Sequence, residues 1–243
     1  MIYLYTDFGT QDIYLGQLKA ALHDASSGIP HIDMLHDAPV FDVVSNAHLL
    51  HALASRLPIT RSIIVAIVDP GVGGRRRPIV LQADGRWYVG PDNGLLSIVA
   101  QRAQACKVWE IAWRPERMSE TFHGRDLFAP MASKLAVDAV GRDMLQEVDG
   151  LECVLDAADR FHVIYVDHYG NVLTGIRRGT VLHDAHLRVA GRLLAHASYF
   201  AEVPEGEAFW YENSIGLIEL AVNRGHAAER LGLRVGDAVE LIG

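Results

Sequence analysis

The chain has 243 residues, a formal charge of −8 with histidine neutral, and an apolar half; that length suits one large domain or two small ones. The acidic balance excludes an extended phosphate-binding face, and with it nucleic acid as a partner. No apolar run reaches the roughly 18–20 residues of a membrane helix, the opening MIYLYTD reads as strand and turn with no secretory signal, and Cys106 and Cys153 stand apart without a CxxC pattern, which argues against a disulfide framework or thiolate zinc site and for a cytoplasmic location.

Ile2 to Tyr5 is a short first strand, followed by an exit loop from Thr6 to Thr10. Tyr14, Leu18, Ala21, Leu22 and Ala25 then recur at helical spacing, which predicts a helix from about Gln11 to Ala25 with Thr10 as its cap. Ile32 to Leu35 is the next strand, and Asp42 caps a second helix running to about Leu57. Ile63 to Val68 is an unbroken apolar run, suited to a strand buried on both faces. It stops at Asp69, and Pro70 to Gly74 form a loop before Arg75, Arg76 and Arg77. A carboxylate at the carboxyl end of a central strand, with arginines behind it, sits where open α/β sheets bind ligands.

Ile79 to Ala83 and Arg86 to Val89 form a hairpin about Asp84-Gly85. A helix from about Leu95 to Ala105, a strand from Val108 to Ala112, and a segment from Thr121 to Asp126 leading into a helix that runs to about Val140 complete this part. The alternation predicts an α/β domain over residues 1–150, a mostly parallel sheet flanked by helices. After a boundary near 141–160 come short strands: Phe161–Val166, Val172–Ile176, Leu187–Ala190, Leu193–Tyr199, Ala208–Tyr211, Leu217–Val222 and Ala238–Ile242. They predict a smaller, mainly β, barrel-like domain over residues 160–243.

Four polar loops at element ends are candidates for one pocket: Asp7, Asp69 to Arg77, Asp92 to Gly94, and His123 to Asp126. His123 precedes a helix N-terminus, which favours a neutral, orienting imidazole. Asp126 has the position of a helix cap. In the β domain, Asp167 and Asn171 bracket Tyr169: a carboxylate suits ribose hydroxyls, an amide a base edge, and a ring the base face. The same residues also suit an Asx turn in a hairpin. Asn213, Ser214 and Ile215 offer a second turn with polar backbone and hydroxyl groups. The twelve histidines include the pairs His48/His51 and His183/His186, but no HExxH motif, and no metal site is expected.

Six segments, TDFGTQDIYLGQLKA, VDPGVGGRRRPI, GPDNGLL, TFHGRDLFAPMA, DHYGNVLT and NSIGLIELAVNRG, together resemble the S-adenosyl-L-methionine hydroxide adenosyltransferases, hydrolytic relatives of fluorinase and chlorinase. The resemblance runs nearly end to end. It implies a metal-independent hydrolase converting S-adenosyl-L-methionine to adenosine and L-methionine without a cofactor, and a homotrimer with sites at subunit interfaces. It implies an Asp-Arg-His triad at Asp69, Arg76 and His123, the family's seven-residue spacing selecting Arg76 from the arginine run. Nucleoside contacts carry over to Asp7 and Asp167 at the ribose, Tyr169 against the nucleoside, Asn171 at the purine edge, and Phe41 beside the sugar. Asp12 and Ser214 match positions near the methionine end, where Ile215 replaces a halogenase arginine. The rival readings are a halogenase, a non-catalytic nucleoside-binding protein and a metal-dependent hydrolase.

Overall fold

A computed structural model describes residues 1–59 and 61–242; Thr60 and Gly243, the last residue of the expected β domain, lie outside the described residues. The chain divides into two compact units, Met1–Ala157 and Ala158 onward. Among the described residues no helix is long and apolar enough to cross a membrane.

The first unit carries strands β1 (Ile2–Thr6), β2 (His31–Leu35), β3 (Ile63–Ile67), β4 (Pro78–Ala83), β5 (Arg86–Pro91), β6 (Cys106–Ile111) and β7 (Leu145–Val148). They form one sheet in the order β2-β1-β3-β5-β4-β6-β7. Helices α1 (Ile13–Ala25), α2 (Val43–Ala54), α3 (Ser97–Arg102) and α4 (Ala129–Ala136) accompany it, α4 following a π-helical turn at Gly124–Phe128. The apolar run of β3 is buried along its whole length, between β1 and β5. Its core partners include Ile2, Leu4, Leu18, Leu22 and Phe128.

The sheet is mixed, not mostly parallel. β2, β1, β3 and β5 run parallel, but β4, β6 and β7 pair antiparallel. The reason is local: Asp84 and Gly85 both take positive φ, and a two-residue turn of that kind reverses the chain. Parallel neighbours instead need a crossover, which α1 and α2 supply between β1, β2 and β3. β7 falls inside the expected domain boundary; four residues with two exposed are too short to show a period. Helix α1 begins at Ile13 because the Asp12 carboxylate accepts the Ile13 amide at 2.6 Å. Thr10 is not its cap; its amide is held by Asp37 at 3.1 Å. Helix α3 is shorter than expected because Asn93 and Gly94 take the Leu95 amide and the Ser97 hydroxyl into a turn.

The second unit has β8 (Arg160–Val166), β9 (Val172–Arg177), β10 (His186–Val189), β11 (Arg192–Leu194), β12 (Ala208–Glu212), β13 (Leu217–Val222) and β14 (Glu240–Ile242). These make a four-stranded antiparallel sheet, β12-β13-β9-β8, and a three-stranded one, β11-β10-β14. Side chains from both share one core, including Val163, Leu187, Leu194, Trp210 and Val239. The expected strand Leu193–Tyr199 stops at Leu194. Only His196 makes a bridge, to Trp210, before a 3-10 turn at Phe200–Glu202. A short helix, α5 (Ala227–Leu231), was not anticipated; the His226 imidazole caps it by accepting the Glu229 amide.

Candidate active site

β1 and β3 are parallel neighbours, so their carboxyl ends deliver Asp7 and Asp69 to the same sheet edge. A third loop, just before the π-helical turn, brings His123 there. Together they line a cleft of about 320 Å³ in the first unit, with Phe8, Asp12, Tyr14, Phe41 and Phe122.

Asp69, Arg76 and His123 form one continuous hydrogen-bonded set. Arg76 Nε donates to both Asp69 oxygens, at 3.1 and 3.0 Å, and Nη2 donates to Oδ2 at 2.5 Å. The same Nη2 lies 2.8 Å from His123 Nδ1. A guanidinium offers only donors, so Nδ1 must present its lone pair, and the ring is neutral with its proton on Nε2. The imidazole pKa is accordingly below its ordinary value, through burial first and the Arg76 charge second, with Asp69 opposing. Burial and a cation favour this state, and His123 stands, as expected, just before a helical turn. Arg76 and Asp69 side chains are 9% and 5% exposed, so the pair is desolvated and bidentate, the stronger kind. The Arg76 guanidinium also lies 5.6 Å from the Phe128 ring centroid.

The loop from Asp69 to Arg76 needs glycine at Gly73. Its φ is +78°, and a Cβ there would sit 2.5 Å from the Glu120 carbonyl oxygen. That close passage packs the Asp69 loop against the segment leading to His123. Arg77 points elsewhere: it binds Asp92 at 2.6 Å and the Gly150 carbonyl at 2.8 Å. Asp92 also accepts the Glu152 amide at 2.9 Å. The Asp92–Gly94 loop therefore fastens the chain after β7 and does not join the cleft. Asp126 is a fastener too, not a helix cap: it accepts the Ser119 amide at 2.7 Å and pairs with Arg125.

Asp7 accepts the Phe41 amide at 3.0 Å. Its carboxyl pKa is raised, chiefly by burial, with the Phe41 bond opposing and the Asp69 charge adding to the rise. Phe41 has a left-handed backbone, φ 62°, unusual for a residue with a bulky side chain; its ring is 71% exposed. Asp12 lines the cleft while its carboxylate caps α1.

The remaining candidates lie in the second unit, where Asp167, Tyr169, Asn171, Asn213 and Ser214 line a cleft of about 820 Å³ and Ile215 stands outside its lining. Asp167 Oδ1 accepts the amides of Tyr169 and Asn171 at 2.9 and 2.8 Å, and Oδ2 accepts Asn171 Nδ2 at 3.1 Å. This Asx turn leaves Tyr169 75% exposed at the cleft. Gly170 supports it, because a Cβ there would lie 2.2 Å from the His226 ring. Asn213 is buried, its Oδ1 taking the Ile215 and Leu217 amides at 3.1 and 2.9 Å. It shapes the turn that presents Ser214 and Ile215.

Sequence reasoning missed several residues that line these clefts. Phe8, Tyr14 and Phe122 form an aromatic cluster with ring centroids 5.3–5.9 Å apart. In the second unit Phe200, Tyr211, Glu219 and His226 were missed. Glu219 had a signal: it is the lone charge in the otherwise apolar strand LIELAV. Among the described residues no group of three or more His, Cys, Asp or Glu side chains is placed to hold a metal ion; His183 stacks on His196 instead, at 4.0 Å.

The fold and site define a two-unit α/β protein with a desolvated Asp–Arg–His centre in one unit and a separate polar cleft, edged by an exposed tyrosine, in the other. Comparison with known proteins gives the particular family. The SAM hydroxide adenosyltransferase N-terminal domain matches residues 2–144, and the C-terminal domain of the same family matches residues 161–240. The chain belongs to the SAM hydroxide adenosyltransferase family. It is 36% identical to the (R)-S-adenosyl-L-methionine hydrolase of Thermus thermophilus, over 99% of each chain. It is 25% identical to the fluorinase of Nocardia brasiliensis, over 99% of this chain and 96% of that one. A crystal structure of an uncharacterized conserved protein from Thermotoga maritima superposes with a TM-score of 0.90 at 30% identity, covering both chains fully.

Proposed function

We propose that this enzyme hydrolyses S-adenosyl-L-methionine to adenosine and L-methionine by in-line attack of water on C5′. The observation that carries this reading is the continuous Asp69–Arg76–His123 set, whose Asp69 and His123 line the first cleft, in a chain similar to named hydrolases of that compound. The chemistry fits such a set. The C5′–S bond breaks with its electron pair going to sulfur, so methionine leaves as a neutral thioether and needs no acid. The new C5′–O bond needs a positioned, partly desolvated water. Asp69 accepts the water proton, and the neutral His123 orients the water with Nε2–H. Arg76 locks both side chains without itself exchanging a proton. No step calls for a cofactor or metal.

Asp7 and Asp167 take the ribose hydroxyls, Tyr169 lies on the base, and Asn171 meets its edge, with Phe41 beside the sugar. Asp12, Ser214 and Ile215 flank the methionine end, and Asn213 holds their turn. The barrel-like second unit is the nucleoside holder. In this reading a homotrimer joins the first unit of one copy to the second unit of the next. The exposure of Phe41 and Tyr169, 71% and 75%, supports it, since both rings are available to a partner surface. The free thiols of Cys106 and Cys153 suit a cytoplasmic location.

The test is purified protein incubated with S-adenosyl-L-methionine, with and without chloride, fluoride and a chelator, products separated by chromatography and mass measured by light scattering. Equimolar adenosine and methionine from a trimer, indifferent to chelator and halide, is the expected result. A 5′-halogenated nucleoside, or tight binding without turnover, overturns the reading.

A further inference from the structure

Strand β13 is buried along all six residues, and five of them are apolar. Ile218, Leu220 and Val222 belong to the unit's main core, so the alternation of a strand turns Glu219 to the opposite face. There it lines the second cleft while only 5% exposed. Its carboxylate receives the Tyr211 hydroxyl at 2.5 Å and Asn213 Nδ2 at 2.8 Å. Both donors are neutral. Burial foremost, and the carboxylate of Asp167 in the same cleft, raise its pKa above the ordinary carboxylate value, against the two hydrogen bonds. The cationic candidates nearby are otherwise engaged: Arg224 is 3.1 Å from Glu205, and His226 Nδ1 is the cap of α5.

Buried carboxylates are ordinarily paired, because two neutral hydrogen bonds do not replace the hydration of a full charge. Here the unmatched charge faces a ligand cleft. We propose that Glu219 is a specificity-determining residue that selects a cationic sulfonium ligand over the neutral thioether of the same shape. This rests on the substrate reading above. The bound sulfonium supplies the charge that the protein withholds, and the attraction vanishes when sulfur becomes a thioether. Glu219 thus acts on affinity and product release, through space, while Tyr211 and Asn213 hold it in place.

The test is calorimetric titration with S-adenosyl-L-methionine, S-adenosyl-L-homocysteine and adenosine, on an Asp69→Asn background to prevent turnover. The parent should prefer the sulfonium about tenfold, equivalent to about 1.4 kcal/mol. Glu219→Gln should remove most of that preference and leave adenosine affinity within about twofold. Tyr211→Phe, which keeps the carboxylate, should retain the preference even if all three ligands weaken. Equal affinity for the two sulfur ligands in the parent overturns the inference without any variant. So does an unchanged preference in Glu219→Gln that still binds adenosine. Failure of the substrate reading is recognised separately, by the absence of hydrolysis in the unaltered protein.

Discussion

In the first unit the buried carboxylate of Asp69 meets a guanidinium, which in turn fixes the tautomer of His123. In the second, the buried carboxylate of Glu219 meets, among the described residues, a phenol and an amide. The first arrangement is complete in itself: charge is neutralised, geometry is rigid, and a protonation state is set. The second is unfinished until something positive enters the cleft. That difference suggests a division of labour, with the reacting centre in the first unit and charge recognition in the second.

The sharpest way to break this division is Asp69→Asn, which keeps an acceptor for Arg76 but removes the proposed base. kcat should fall about 10²–10⁴-fold, with KM within about twofold by steady-state kinetics, and the melting temperature should drop by several degrees because the buried Arg76 charge loses its partner. A raised KM with intact kcat would dissolve the contrast. Next comes Tyr169→Ala in the second unit. Base–aromatic stacking contributes about 1–3 kcal/mol, so KM should rise roughly tenfold or more while kcat is largely retained.

The pH dependence is a subtler probe. Because burial and Arg76 hold His123 below its ordinary value, kcat/KM should persist as pH falls through the usual histidine range and decline only beneath it. Between the depressed value and 6.5 the unfolded chain binds a proton that the folded protein refuses, so His123's contribution to stability is lost as pH drops through that window. A proton-by-proton NMR titration of His123 reads both. A value at or above 6.5 would contradict the tautomer assigned here. The smallest catalytic effect belongs to Asp92→Ala. Asp92 is 4% exposed and braces Arg77 and the segment after β7. Melting should fall by several degrees with kcat and KM within about twofold; a large kinetic loss would mean that this loop reaches the reaction after all.

Local pattern sufficed for much of the fold. The apolar run at Ile63 marks the central strand, and Asp42 marks the start of α2, whose Ser45 amide it accepts at 2.9 Å. Patterns failed where the signal was short or shared. Four-residue β7 has too few positions to show a period, and α5 is one turn capped by a histidine, a residue that carries little capping signal. Thr10 and Asp12 both have capping chemistry, and the bond from the Ile13 amide to the Asp12 carboxylate decides between them.

From its sequence alone the chain's two-part division, its central strand and the positions of its reactive residue types could be read, because these depend on neighbours within a few residues. Tertiary structure decided the rest. Local pattern does not tell three adjacent arginines apart, and only the family resemblance singles out Arg76; in the packed chain Arg76 turns to Asp69 and His123 while Arg77 turns to Asp92. Asp92 and Asp126 carry the same carboxylate as Asp69, but nearby amides and arginines consume them as fasteners. Whether a polar side chain reacts, braces or waits for a ligand depends on which distant groups reach it first, and only the packed chain holds that information.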